Sequence, residues 1–221
     1  VPAKVKLPDV TLVAVDGAGC NKNILKSLNV SKRDIDFGDI LFISSNKEDI
    51  SAVDSDTRFQ EIEKITYEGW NKFVLKEIGD FIETSHYLYV DYDGFVIHPQ
   101  AWTDEFLEYD YIGAPFWYPA HIHTQYVDQA VKDKPKDDLN LVGNGGFTLR
   151  SKKFFNVAKG CPDTRYVPED VYSCLNNYDY YVERGVKYAP HDLASRFSSN
   201  QLHSNPSVLG FHGHKTHINN F

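Results

Sequence analysis

Short apolar runs that stop at an acid or a glycine alternate with stretches of helical periodicity along the first ninety or so residues, and this alternation limits the fold most. "VTLVAVDG" (Val10 to Gly17) reads as a buried strand stopped by Asp and Gly, and "DILFISS" (Asp39 to Ser45) repeats the pattern, with the short helix "NILKSL" between them. From Trp70 to Ile82 the apolar residues Trp70, Phe73, Val74, Ile78, Phe81 and Ile82 recur at three and four, which predicts one buried helical face leading into the strand "YLYV". Strands alternating with helices predict an α/β single domain over 1–221, with a mixed, mostly parallel central sheet flanked by helices. Ligands of such sheets sit beyond the carboxyl ends of the strands.

The remainder of the chain is less regular. "YIGAPF" (Tyr111 to Phe116) reads as a strand, and "LVGNGGFTLRS" (Leu141 to Ser151) as a glycine-dense turn into another, followed by the helix "KKFFNVA". Between them Trp117 to Asn140 is polar, with "DKPKDD" at its centre, and is expected to be a flexible loop. "PEDVYSCLNNY" opens as a helix N-terminus should, with Pro and two acids.

Composition excludes several classes of partner. With 42% hydrophobic residues the chain can bury a sizeable core, and a formal charge of −8 argues against a broad grip on nucleic acid or an anionic membrane. The abundance of tyrosine, 14 residues, leans toward a site that is apolar on one side and wet on the other. Three cysteines without CxxC spacing argue against a disulfide framework and for a reducing, cytoplasmic setting. No run is long enough for a membrane span. Methionine is absent even at position 1, so the expectation is a trimmed chain or one cut from something longer.

The chemistry concentrates in four motifs. In "VDYDG" Asp91 and Asp93, if extended, point to one side and can meet at a Mg²⁺ or Mn²⁺ ion that keeps positions open for a diphosphate. "DYDG" within it also suits a surface turn with two solvated acids. "FHGH" sets His212 and His214 at strand spacing, as ligands for such an ion or as solvated surface. "GNGGF" (Gly143 to Phe147) lets backbone pass close to a ligand, yet it is neither a Walker loop nor a dinucleotide fingerprint. Glu169 and Asp170 of "PED" are candidate bases or simple helix caps.

Taken in order, "VDYDG", "YIGAPFW", "GNGGFTLRS", "PEDV" and "FHGH" resemble glycosyltransferases of the GT-A (Rossmann-like) fold, and in particular the DUF5672-like domain found in chlorella virus capsid-glycan enzymes. The resemblance runs from Val10 to His214. It implies a hexosyltransferase that takes a UDP-linked sugar, such as glucose or rhamnose, to a glycan, a viral capsid glycan among the candidates, in the host cytoplasm. It implies nucleotide contacts at Val15, Asp16 and Gly17, and donor-sugar or acceptor contacts at Asn144, Gly145 and Gly146. It also implies a cation on Asp91, Asp93 and His212, with Asp170 as base and Glu169 in reserve. Two other readings stay open: a haloacid dehalogenase-type phosphohydrolase, against which Gly94 is followed by Phe95, and a non-catalytic, metal-dependent sugar-binding module.

Overall fold

The structure, a computed structural model, describes residues 3–19, 22–162, 168–200 and 205–213. Among the described residues nine strands form two sheets: β1 (Val5–Asp16), β2 (Ile35–Ser44), β3 (Arg58–Glu61), β4 (His86–Val90), β5 (Gly94–Val96), β6 (Tyr111–Pro115), β7 (Val142–Ser151), β8 (Ser198–Ser199) and β9 (Gly210–His212). The six-stranded central sheet has the order β3-β2-β1-β4-β7-β6. β1 to β4 pair in parallel, and β7 runs against both β4 and β6. The expected mixed, mostly parallel α/β sheet is therefore present.

The unbroken apolar runs follow from burial on both faces. In β1, Val10, Leu12 and Ala14 face one core with Phe42, Leu88 and Val90, while Val13 and Val15 face the other with Leu41, Ile43 and Tyr89. The first core is closed by helix α1 (Lys22–Ser31) through Ile24 and Leu28, and the second by α2 (Tyr67–Lys76) through Phe73 and Val74. α2 begins where Thr66 accepts a hydrogen bond from the Gly69 amide at 3.1 Å. It stops earlier than the periodicity predicts, and Ile78–Phe81 form a separate 3₁₀ turn. Gly79 in that turn lies against the Phe155 ring so closely that a Cβ there would sit 2.3 Å from Cγ, so packing and not periodicity sets this end.

The segment after β6 is not a featureless loop. It carries the short helix α3 (Gln129–Lys132) and a 3₁₀ turn at Lys136–Asp138, and it inserts Ile122, Val127 and Val131 into a third core with Phe116 and Cys174. That core is completed by α4 (Lys152–Gly160), by α5 (Glu169–Val171) continuing into a π-helical turn at Tyr172–Asn176, and by α6 (Tyr178–Glu183). α7 (His191–Phe197) returns to the first core. Among the described residues no helix is long and apolar enough to cross a membrane.

Candidate active site at the strand ends

β1 and β4 are parallel neighbours, so their carboxyl ends place Asp16 and the Asp91–Asp93 segment on one rim of the sheet. β4 ends at Val90, and the following residues form a turn closed by the Gly94 amide donating to the Asp91 carbonyl at 3.1 Å. Asp91 and Asp93 are thus not alternate residues of an extended strand, as the sequence suggested. The turn sets them near each other instead, and Asp91 is held in register by its amide donating to the Gly146 carbonyl at 2.8 Å.

The small second sheet, β5-β9-β8, explains the late histidine. β5 and β9 are antiparallel with Gly94 opposite His212, which puts the His212 Nε2 atom 3.5 Å from Asp93 Oδ1. His214 lies outside the described residues. Gly146 makes this approach feasible. Its φ is +43°, and a Cβ there would stand 2.1 Å from His212 Nε2. "GNGG" is therefore not a turn before a strand but part of β7 itself, with Gly146 the point where the backbone gives way to the imidazole.

Three acids share this rim, and their electrostatics show it. Asp91 is pushed up to about 7, by desolvation first and then by the charges of Asp93 and Asp16, against a favourable hydrogen bond from the Tyr92 amide. Desolvation also holds His212 down to about 4, so its imidazole is neutral, and among the described residues its buried Nδ1 has no hydrogen-bond partner. Carboxylates that repel one another beside a neutral imidazole are a donor set suited to Mn²⁺ or Mg²⁺. Among the described residues no three His, Cys, Asp or Glu side chains already converge on one point.

Across β7 stand the two acids of "PED". The Asp170 carboxylate accepts from the Gly145 amide at 3.0 Å and from the Val171 amide at 2.8 Å, and burial raises its pKa against those two bonds. Glu169, the reserve base of the sequence reading, also comes up to Gly145, where a Cβ would stand 2.9 Å from its Oε1. It is buried and paired with the fully buried Arg150 at 2.8 Å, while its amide donates to Asn71 Oδ1 at 2.8 Å. Burial raises Glu169 to about 7, with the Arg150 charge opposing the rise. Glu169 is thus tied to Arg150 and Asn71, whereas Asp170 is held by the Gly145 and Val171 amides.

The residues expected to meet a nucleotide border two hollows. One of about 360 Å³ is lined by Asp16, Gly19, Lys22, Asn46 and Asp49 among others, and one of about 260 Å³ by Val15, Asp16, Gly17, Ile65, Tyr67 and Trp70. Asp16 is itself largely buried, accepting from the Gly19 amide at 2.9 Å, and Val15 packs its side chain in the core. Gly17 lies under Ile65, whose Cγ1 would be 2.5 Å from a Cβ. The Asn144 amide is tied to Asn200 at 2.6 Å. Tyr67, stacked on Trp70 at 6.1 Å and 62% exposed, was missed in the sequence. Its signal, an exposed aromatic in the first turn of a helix, is indistinguishable there from core.

The chain is thus a mixed α/β protein with Asp16, Asp91 and Asp93 at the carboxyl ends of its parallel strands. The family described as "Protein of unknown function (DUF5672)" matches residues 51–212, and the chain belongs to it. No curated protein matches the sequence. Similar solved structures include the galactosyltransferase LgtC in complex with donor and acceptor sugar analogs, at 16% identity and a TM-score of 0.49 over 93% of this chain and 86% of that one. The inositol-1-phosphate CTP transferase from T. maritima is similar at 12% identity and a TM-score of 0.49, over 81% and 83% of the two chains. The glycosyltransferase GlyE of Streptococcus pneumoniae TIGR4 is similar at 12% identity and 0.45, over 96% and 54%. At these scores the likenesses carry no functional argument, which rests on the residues themselves.

Proposed function

We propose that the chain is a metal-dependent glycosyltransferase that moves a sugar from a nucleotide sugar to a glycan acceptor. The observation that carries this reading is the pairing of an acidic turn and a neutral histidine, Asp91, Asp93 and His212, with a third carboxylate, Asp170, held across β7 by the Gly145 amide. The donor is UDP-linked, with glucose or rhamnose as its sugar. The resemblance points further, to a viral capsid glycan as acceptor and the host cytoplasm as the place of action.

Asp91, Asp93 and His212 are the residues that would hold Mn²⁺ or Mg²⁺. Once bound, such a cation neutralises the charge that develops on a leaving diphosphate. The hollows bordered by Asp16 and Gly17 are where the nucleoside would bind. Asp170, raised by burial, has the character of a base that takes the proton of an acceptor hydroxyl as it attacks. Gly145, whose Cβ would lie 2.9 Å from Glu169 Oε1, keeps the space over that carboxylate clear. With a carboxylate base in that role, as the resemblance of "PED" implies, transfer would invert the sugar carbon.

The test is UDP release from a panel of UDP-sugars. Release in Mn²⁺ that a glycan acceptor accelerates and EDTA stops is the expected result. Release of phosphate from phosphomonoesters, with every nucleotide sugar left intact, would replace this reading with a phosphohydrolase.

A further inference from the structure

Immediately after β6 the chain turns on itself and builds an aromatic step. The Trp117 amide donates to His121 Nδ1 at 3.1 Å, and the His121 amide donates back to the Trp117 carbonyl at 2.8 Å. The turn lays the imidazole parallel to the indole, with centroids 5.7 Å apart and planes 5° apart. Phe116, buried, braces His121 edge-on at 90°, and Ile122 anchors the turn in the core. Trp117 and Tyr118 remain 49% and 42% exposed, against the usual tendency of large aromatics to be covered. The step also adjoins the strand that carries Gly145: Phe116, which braces His121, lies so close to β7 that a Cβ at Gly143 would stand 2.7 Å from its ring.

Beyond Tyr118 the surface continues. Lys136 Nζ lies 5.3 Å from the centre of the Tyr118 ring, and Lys136 also borders a groove of about 620 Å³ lined by Asn140, Tyr178 and His191. Because His121 Nδ1 accepts a hydrogen bond, its neutral ring carries the proton on Nε2 and has a donor to offer there. Aromatic faces rimmed by single donors suit a ring that is apolar on one face and hydroxylated at its edge. An apolar peptide would leave the rim groups unpartnered.

We infer that the Trp117–His121 stack seats a pyranose ring of the acceptor, with Tyr118 and Lys136 leading further sugars toward the groove beside His191. This rests on the glycosyltransferase reading and deepens it: the acceptor is an oligosaccharide and not a single small alcohol. The C–H face of the sugar lies on the negative face of the aromatic ring, and the hydroxyl to be glycosylated is turned toward Asp170.

Saturation-transfer NMR with methyl β-D-galactoside, methyl β-D-glucoside and methyl α-L-rhamnoside tests this, with UDP and Mn²⁺ titrated in the same samples. At least one glycoside is expected to bind with saturation concentrated on one ring face, about tenfold more weakly in Trp117→Ala. Trp117→Phe is expected to keep most of the binding. Equal binding by wild type and Trp117→Ala, or no binding by wild type, overturns the inference. UDP binding without glycoside binding would leave the donor reading standing and remove the platform. Glycoside binding through Trp117 without UDP binding would do the reverse.

Discussion

Replacing Arg150 by Met is expected to destabilise the protein by about 3–5 kcal/mol, because it leaves the Glu169 carboxylate buried without its counter-charge. Arg150 is fully buried. Its Nη2 meets Glu169 at 2.8 Å, its Nε donates to Thr148 at 3.0 Å, and its guanidinium lies over the rings of Tyr111 and Tyr89 at 5.3 and 5.6 Å. The cost depends on pH in a definite direction. Glu169 is already raised from 4.5 to about 7 by burial, and loss of the opposing Arg150 charge raises it further. A carboxyl raised in the folded state contributes stability that is intact below its unfolded pKa and is lost as pH rises through the folded one. The deficit of Arg150→Met in urea denaturation is therefore expected to be smaller at pH 5 than at pH 8, and the added change Glu169→Gln should recover much of it. Equal deficits at the two pH values would show that the unpaired carboxylate is not the cause.

Asp170→Asn is expected to lower the turnover number for transfer by about 10²–10⁴-fold with donor binding intact, the scale of a lost general base. An amide oxygen can still accept from the Gly145 or Val171 amide, so the helix start keeps its frame, but it cannot take a proton. Steady-state kinetics with saturating UDP-sugar separates the two effects. Unchanged turnover would remove Asp170 as the base.

Much of this architecture is legible in the sequence, and what is not has a physical cause. The runs around Leu12, Phe42 and Leu88 read as strands because both faces of the sheet are covered, so each run is apolar throughout. The acidic turn and the late histidine could be named, but not the way they meet. Asp93 and His212 are joined by the three-residue pairing of β5 with β9, made by residues more than a hundred positions apart without any local period. Arg150 is harder still. After an apolar strand an arginine reads as the return to solvent, and only its contact with Glu169, nineteen residues later, makes a core residue of it. The polar stretch from Trp117 to Asn140 reads as flexible because Ile122, Val127 and Val131 are isolated and aperiodic, yet each of the three is buried. Single anchors of that kind leave no pattern for periodicity to find.

An acidic rim that holds a divalent cation and a nucleoside diphosphate together, as proposed, makes UDP binding depend on the metal. Calorimetric titration of UDP into the protein, first with Mn²⁺ and then with EDTA, tests it most directly, with Asp93→Asn run in parallel. Saturable UDP binding in Mn²⁺ that EDTA abolishes and that Asp93→Asn loses is the expected result. UDP binding that is unaffected by EDTA, or that Asp93→Asn retains at full strength, would contradict it.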